Sequence, residues 1–229
     1  MTPLCVFGQA INHGPRGDGG FDAFQAQANQ GLYALCDGAN SCPDSGKAAV
    51  WLAQRITQTP RMEGHGFVDF RARVVELHEQ MLTEFPETAS TLIGLHVRPQ
   101  GLRLVSVGDS LLTLYQHKRW TRKSWEKVHT MPQDIDANGH PSQLIASEVL
   151  NTVHQHDFPS TSTWLAVMMS DGPARLLSDA CIEGALTRIG QDTPSAEDLD
   201  YLCESLADEA LSLGCRDDVS IALVWIRYD

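Results

Sequence analysis

The chain has 229 residues, 42% of them hydrophobic, and carries 17 Lys and Arg against 29 Asp and Glu for a formal net charge of −12. That length can bury a substantial core, and the acidic excess argues against nucleic acid or an anionic membrane as partner, because both are bound through clustered Lys and Arg. No basic stretch leads into a long apolar one at the N-terminus and no apolar run approaches bilayer length, so a cytoplasmic protein is expected.

No linker-like run of Pro, Gly or Ser, no charge block and no repeat interrupts the sequence, which favours one domain over 1–229. Of the six cysteines, Cys5, Cys36, Cys181 and Cys203 sit among apolar neighbours as buried thiols would, Cys42 and Cys215 fall in expected loops, and no C-x-x-C pair suggests structural zinc.

In chain order, apolar runs predict strands at 4–11 and 31–36, and helical periodicity follows at 45–57 and 69–85. In the second helix Val74, Leu77, Met81 and Leu82 share a face, and Asp69 is the expected N-cap. Strands at 89–97, 102–107 and 111–116 follow with short turns, as in an antiparallel meander. KRWTRKSWEK, with Trp120 and Trp125, reads as a twisted hairpin with a solvated basic face, and a helix is expected at 143–153. His154-Gln155-His156-Asp157 departs from metallo-hydrolase spacing and reads as loop. A strand at 164–170, a weaker helix at 178–189, a helix at 195–213 capped by Ser195 with Asp198, and a strand at 219–227 complete the pattern. The class is α+β, with helices on antiparallel sheet.

Ser45-Gly46-Lys47 suggests a phosphate loop, but the required first Gly is Ser41 and the hydroxyl position is Ala48, so nucleotide binding is disfavoured. A more informative regularity is that Asp37, Asp109, Asp171 and Asp217 each lie where an apolar strand meets a turn, two of them followed by Gly. Singly, each reads as a turn former. Together they form an oxygen-rich set suited to Mg²⁺ or Mn²⁺ rather than zinc.

The segments GLYALCDGAN, TASTLIGLHV with LRLVSVGDS, WLAVMMSDG and CRDDVSIALVWI resemble, in order and spacing, the motifs of the metal-dependent protein phosphatases of the PPM, or type 2C, class. The resemblance implies a β-sandwich flanked by helices on both faces. It also implies hydrolysis of phosphoserine or phosphothreonine by a hydroxide between two Mn²⁺ or Mg²⁺ ions. Asp37 would bridge the ions, Gly38 would offer its carbonyl to one, and Asp171 and Asp217 would complete the shell of the other. Asp109, with Asp171, matches the place of a third ion in bacterial members. The family's opening R-x-x-N-E-D is altered in HGPRGDGGFDAF: Asp22 fits the last position, Phe21 replaces Glu, and Arg16, the phosphate-binding candidate, lies one residue too far upstream. Asp18 could replace the missing carboxylate or be a turn residue, and His13 could protonate a leaving group or be a loop histidine. Implied partners are a phosphorylated protein and a cognate kinase. The alternative is a weakened phosphatase-fold module that binds phosphoproteins or regulates a kinase.

Overall fold

The computed structural model describes residues 2–14, 20–42, 44–58, 69–118, 125–147, 149–189 and 192–228. In chain order the elements are β1 (Leu4–Ala10), β2 (Asp22–Gln27), β3 (Leu32–Asp37), α1 (Ser45–Thr57), α2 (Phe70–Glu84), β4 (Leu92–Arg98), β5 (Gly101–Val107), β6 (Leu111–His117), β7 (Trp125–Thr130), β8 (His154–Pro159), β9 (Thr163–Met169), α3 (Asp171–Leu176), α4 (Asp179–Leu186), α5 (Ala196–Ser212) and β10 (Ile221–Arg227). One sheet runs β1-β10-β9-β6-β7 and the other β2-β3-β4-β5-β8, with every described pair antiparallel.

The central strands are apolar almost throughout because both of their faces are covered. In β3, Tyr33 and Leu35 enter the layer between the sheets with Ile93, Leu114, Met168 and Val224. Ala34 and Cys36, one residue out of phase, meet Leu52 and Ile56 of α1 and Val74 and Leu77 of α2. On the far side Leu199, Leu202 and Leu206 of α5 cover Val167, Leu223 and Trp225. The result is the expected α-β-β-α layering, an α+β sandwich with helices on both faces.

Local signals place the helices closely. Asp69 accepts the Ala72 N–H at 3.2 Å, and Ser195 with Asp198 forms a reciprocal capping box. Val74, Leu77 and Met81 are buried as expected, but Leu82 is 41% exposed, because it lies one position beyond the stripe that faces the sheet. Cys215 lies in a loop as expected, buried against the α5 side of the sandwich.

Three other expectations are corrected. No helix forms over 143–153 among its described residues: Ser90 and Ile145 exchange backbone hydrogen bonds at 2.8 and 3.1 Å, and the Gln143 side chain accepts the N–H groups of Asn151 and Thr152 at 3.0 and 3.1 Å. These bonds take the backbone groups a helix would need, so tertiary pairing overrides the apolar period. The segment at His154-Gln155-His156-Asp157 is strand β8 rather than loop, and β2 was not expected at all. Both are edge strands, and edges carry polar side chains that hide the strand pattern. Arg16, Asp18 and Trp120 lie outside the described residues.

Candidate functional site

At one end of the sandwich the strand ends bring the predicted aspartates together. Asp22 opens β2 and Asp37 closes β3, and the antiparallel register sets them opposite each other. Asp171 follows β9, Asp217 precedes β10, and Asp109 lies in the β5–β6 turn. A cleft of about 300 Å³ is lined by Asp37, Gly38, Asn40, Thr91, Asp109 and Asp171, with Pro141 and Leu144 from the 131–153 connection along its rim.

The backbone of Asp37 is held tightly. Its N–H donates to Thr91 Oγ1 at 3.0 Å, and its carbonyl accepts the Thr91 N–H at 2.8 Å and the Ser90 hydroxyl at 3.1 Å. Gly38 then donates to the Phe21 carbonyl at 3.0 Å. A Cβ at Gly38 would lie 2.6 Å from the Ser45 carbonyl oxygen, so only glycine lets α1 approach this corner. Gly172 is confined likewise, its virtual Cβ being 2.7 Å from the Asp218 carbonyl oxygen, which lets α3 start beside the Asp217-Asp218 turn.

Burial dominates the electrostatics, and neighbouring carboxylates add to it. Burial, then the charges of Asp22 and Asp171, hold the Asp37 carboxyl well above the usual range. Burial also pushes Asp22 up to about 6, opposed in part by hydrogen bonding from Ser220. Asp109 and Asp171 are raised as well, again chiefly by burial. Asp22 Oδ2 is buried without a hydrogen-bond partner. Among the described residues, no three His, Cys, Asp or Glu side chains are arranged to hold a metal ion as they stand. The donor chemistry nevertheless fits a hard divalent cation: mutually repelling carboxylates, one with an unpartnered buried oxygen, are stabilised when positive charge enters between them.

Several participants were not anticipated. Asn40 donates to both Asp217 oxygens at 3.0 and 3.2 Å and so fixes that carboxylate. Asp218, 3% exposed, accepts the Phe21 N–H at 2.9 Å, joining the β10 entry to the start of β2. Arg175 donates to Asp171 at 2.8 Å and to Asp109 at 3.1 Å. Asp134 accepts the Gly108 N–H at 2.9 Å and lies 2.8 Å from His154 Nε2, tying the 131–153 connection to the Asp109 turn. The Arg175 pairing could have been read from its position four residues after Asp171, a helical ion-pair spacing, had α3 been expected. His13 is exposed, and its backbone pairs with Val219 just beyond Asp217. Lys47 pairs with exposed Asp44, outside the cleft lining, as befits a helix-start residue and not a phosphate ligand.

No family model matches the chain, and no curated protein matches it significantly. Solved structures do match along the full length. PppA, described as a key regulatory component of T6SS in Pseudomonas aeruginosa, superposes with a TM-score of 0.77 at 14% identity, covering 98% of this chain and 99% of that one. The S. agalactiae serine/threonine phosphatase gives 0.75 at 15% identity over 96% and 99%. The catalytic domain of the serine/threonine protein phosphatase PstP, in complex with two manganese ions, gives 0.69 at 17% identity over 99% and 100%. The chain therefore has the fold of the PPM-type serine/threonine phosphatases.

Proposed function

We propose that this chain is a Mn²⁺- or Mg²⁺-dependent protein serine/threonine phosphatase, working as one domain across residues 1–229. The observation that carries this reading is the convergence of Asp22, Asp37, Asp171 and Asp217 at one end of a sandwich with this fold. PstP, a structural neighbour, holds two manganese ions, and the oxygen-only donor set here suits the same class of ion. Asp37, the Gly38 carbonyl, Asp171 and Asp217 would hold the core pair, with Asp22 beside them. Two divalent cations at such a site lower the pKa of a water poised to attack phosphorus in line and offset charge on the phosphoryl oxygens.

The chain's own residues supply rigidity and exclusion. Thr91 and Ser90 fix the backbone under Asp37, Asn40 orients Asp217, and Pro141 with Leu144 adds apolar wall to the cleft. The reaction calls for no protein nucleophile, and the thiol of Cys36, next to Asp37, is fully buried on the helix side of β3. Arg16 is the candidate for gripping the phosphate from the 15–19 segment. The substrate is read as phosphorylated protein, with a cognate kinase acting in opposition in the cytoplasm. No described helix is long and apolar enough to cross a membrane.

A second reading, a weakened phosphatase-fold module that binds phosphoproteins or regulates a kinase, is favoured by Phe21 at the position of a Glu and by Arg175 inside the acidic cluster. Turnover of an aryl phosphate and of a phosphothreonine peptide, with Mn²⁺ and then with excess chelator, separates the two. Activity that disappears with chelation supports the enzyme. Phosphopeptide binding without turnover at any Mn²⁺ concentration establishes the module instead.

A further inference from the structure

The resemblance to bacterial phosphatases places a third ion between Asp109 and Asp171, and there the structure puts a side chain. Asp171 begins α3 and Arg175 lies one turn later, so the guanidinium folds back along the same helix face. Its Nη2 lies 2.8 Å from Asp171 Oδ2 and 3.1 Å from Asp109 Oδ2. The same nitrogen reaches the Gly139 carbonyl at 3.4 Å, so the arginine spans from α3 to the rim of the cleft. Both carboxylates are shielded, with side-chain exposures of 6% for Asp109 and 18% for Asp171, while the arginine side chain is 55% exposed and approaches from solvent.

We infer that Arg175 is a built-in cation that takes the place of an outlying metal ion between Asp109 and Asp171, leaving the chain with at most the two core ions. A guanidinium is permanently charged, and here its Nη2 alone reaches both carboxylates, so it bridges them without an ion recruited from solution. A divalent cation at the same point would sit within contact distance of that positive charge, and like charges repel strongly at short range even at a protein surface. Arginine and ion are therefore mutually exclusive occupants. Arg175 acts as a positioning residue: it holds Asp171 and Asp109 apart from solvent and in register with the core carboxylates. The consequence for catalysis rests on the phosphatase reading, but the occupancy itself does not.

The test counts ions rather than turnover. Metal-stripped wild type, Arg175→Met and the double variant Arg175→Met/Asp109→Asn are titrated with Mn²⁺, free ion being followed by its electron paramagnetic resonance signal. Removing the guanidinium while keeping the alkyl stem is expected to add roughly one bound ion per chain at sub-millimolar to millimolar Mn²⁺, the range of sites with few charged ligands. The double variant is expected to lose that ion again. Equal counts in wild type and Arg175→Met overturn the inference, and so does an added ion that persists in the double variant. The wild-type count reports separately on the phosphatase reading: no bound Mn²⁺ in wild type sinks that reading, while a gain of one ion in Arg175→Met still supports the occupancy of the outlying position by Arg175.

Discussion

Asp22 and Asp37 stand directly opposite each other across the β2–β3 ladder, so two carboxylates share one cross-strand position at the mouth of the sandwich. Like charges so placed destabilise a sheet, but burial is the main source of the strain here, raising Asp22 to about 6 and, with the charge of Asp22 adding to it, holding Asp37 well above its usual range. The fold tolerates the pair because β3 is held from its other side by Thr91 and Ser90. Stability has been spent on an arrangement that only a cation or a proton relieves.

The first prediction follows from that conflict. A carboxyl whose folded pKa is raised contributes stability at acid pH that is lost as pH rises through about 6. Asn mimics the protonated form, so Asp22→Asn should stabilise the metal-free protein at pH 8 by about 1–3 kcal/mol. Asp37→Asn should act in the same direction. With Mn²⁺ present, both should lose turnover by more than the roughly 10–100-fold typical of removing an outer partner of a metal ligand. Urea unfolding in chelator, beside initial rates in Mn²⁺, checks both halves; a destabilised Asp22→Asn at pH 8 rules out the crowding account.

How much of this was legible beforehand depends on what each residue answers to. Asp37, Asp171 and Asp217 stand out as candidates because each lies where an apolar strand meets a turn, and a strand buried on both faces is hard to mistake. The strands β2 and β8 were missed because one side of each faces solvent at a sheet edge, so their polar residues carry no apolar run. Arg175 and Asp134 act through partners remote in sequence: Asp109 for the one, Gly108 and His154 for the other. Apart from the Arg175–Asp171 spacing, local periodicity carries no trace of such pairings. The false helix over 143–153 has the same origin, since the Ser90–Ile145 bridge is a long-range bond competing with a local preference.

A second prediction concerns acid stability away from the site. His96 lies on β4 at 2% exposure, and burial, reinforced by the charges of Arg98 and Arg103, lowers its pKa to about 4. A histidine kept neutral in the fold must gain a proton in the unfolded chain first, so stability falls as pH drops from the usual histidine range to about 4. That single group accounts for about 3 kcal/mol over the interval. His96→Gln should flatten the slope of unfolding free energy between pH 6.5 and 4, whatever it does at pH 8. An unchanged slope in denaturant titrations across that range would show that His96 is not the group responsible.

The third prediction addresses the connection that rims the cleft. Asp134 Oδ2 accepts the Gly108 N–H at 2.9 Å and the Gln143 amide at 2.8 Å, while Oδ1 meets His154. Asp134→Ala leaves these partners without their acceptor, and Gly108 is the residue leading into Asp109. The expected loss is about 2–4 kcal/mol, the sum of one or two charge-assisted bonds with an unsatisfied donor. The urea midpoint should fall with little change in slope, and a loss below about 0.5 kcal/mol would mean the connection is held by other contacts.

The last prediction turns on Phe21. Its backbone is anchored at both ends of the peptide, the N–H to Asp218 at 2.9 Å and the carbonyl to Gly38 N–H at 3.0 Å. A change of side chain should therefore leave the chain path intact. The ring lies against the first turn of α1, with Cδ1 3.7 Å from the position a Cβ would occupy at Gly46. A carboxylate introduced there would sit close to the N–H groups of a helix start, where negative charge is favoured by about 0.3–1 kcal/mol, so Phe21→Glu should fold. It would also add an anionic oxygen next to Asp22, and affinity for hard cations rises with the number of charged ligands. Phe21→Glu is therefore expected to lower the Mn²⁺ concentration needed for half-maximal turnover by roughly tenfold, equivalent to about 1.4 kcal/mol of added ion binding. Activity titrated against Mn²⁺ for wild type and variant decides the matter. A midpoint that stays put, in a variant that unfolds at the wild-type temperature, would show that the side chain at position 21 faces away from the ions and that the R-x-x-N-E-D resemblance of this segment ends at Asp22.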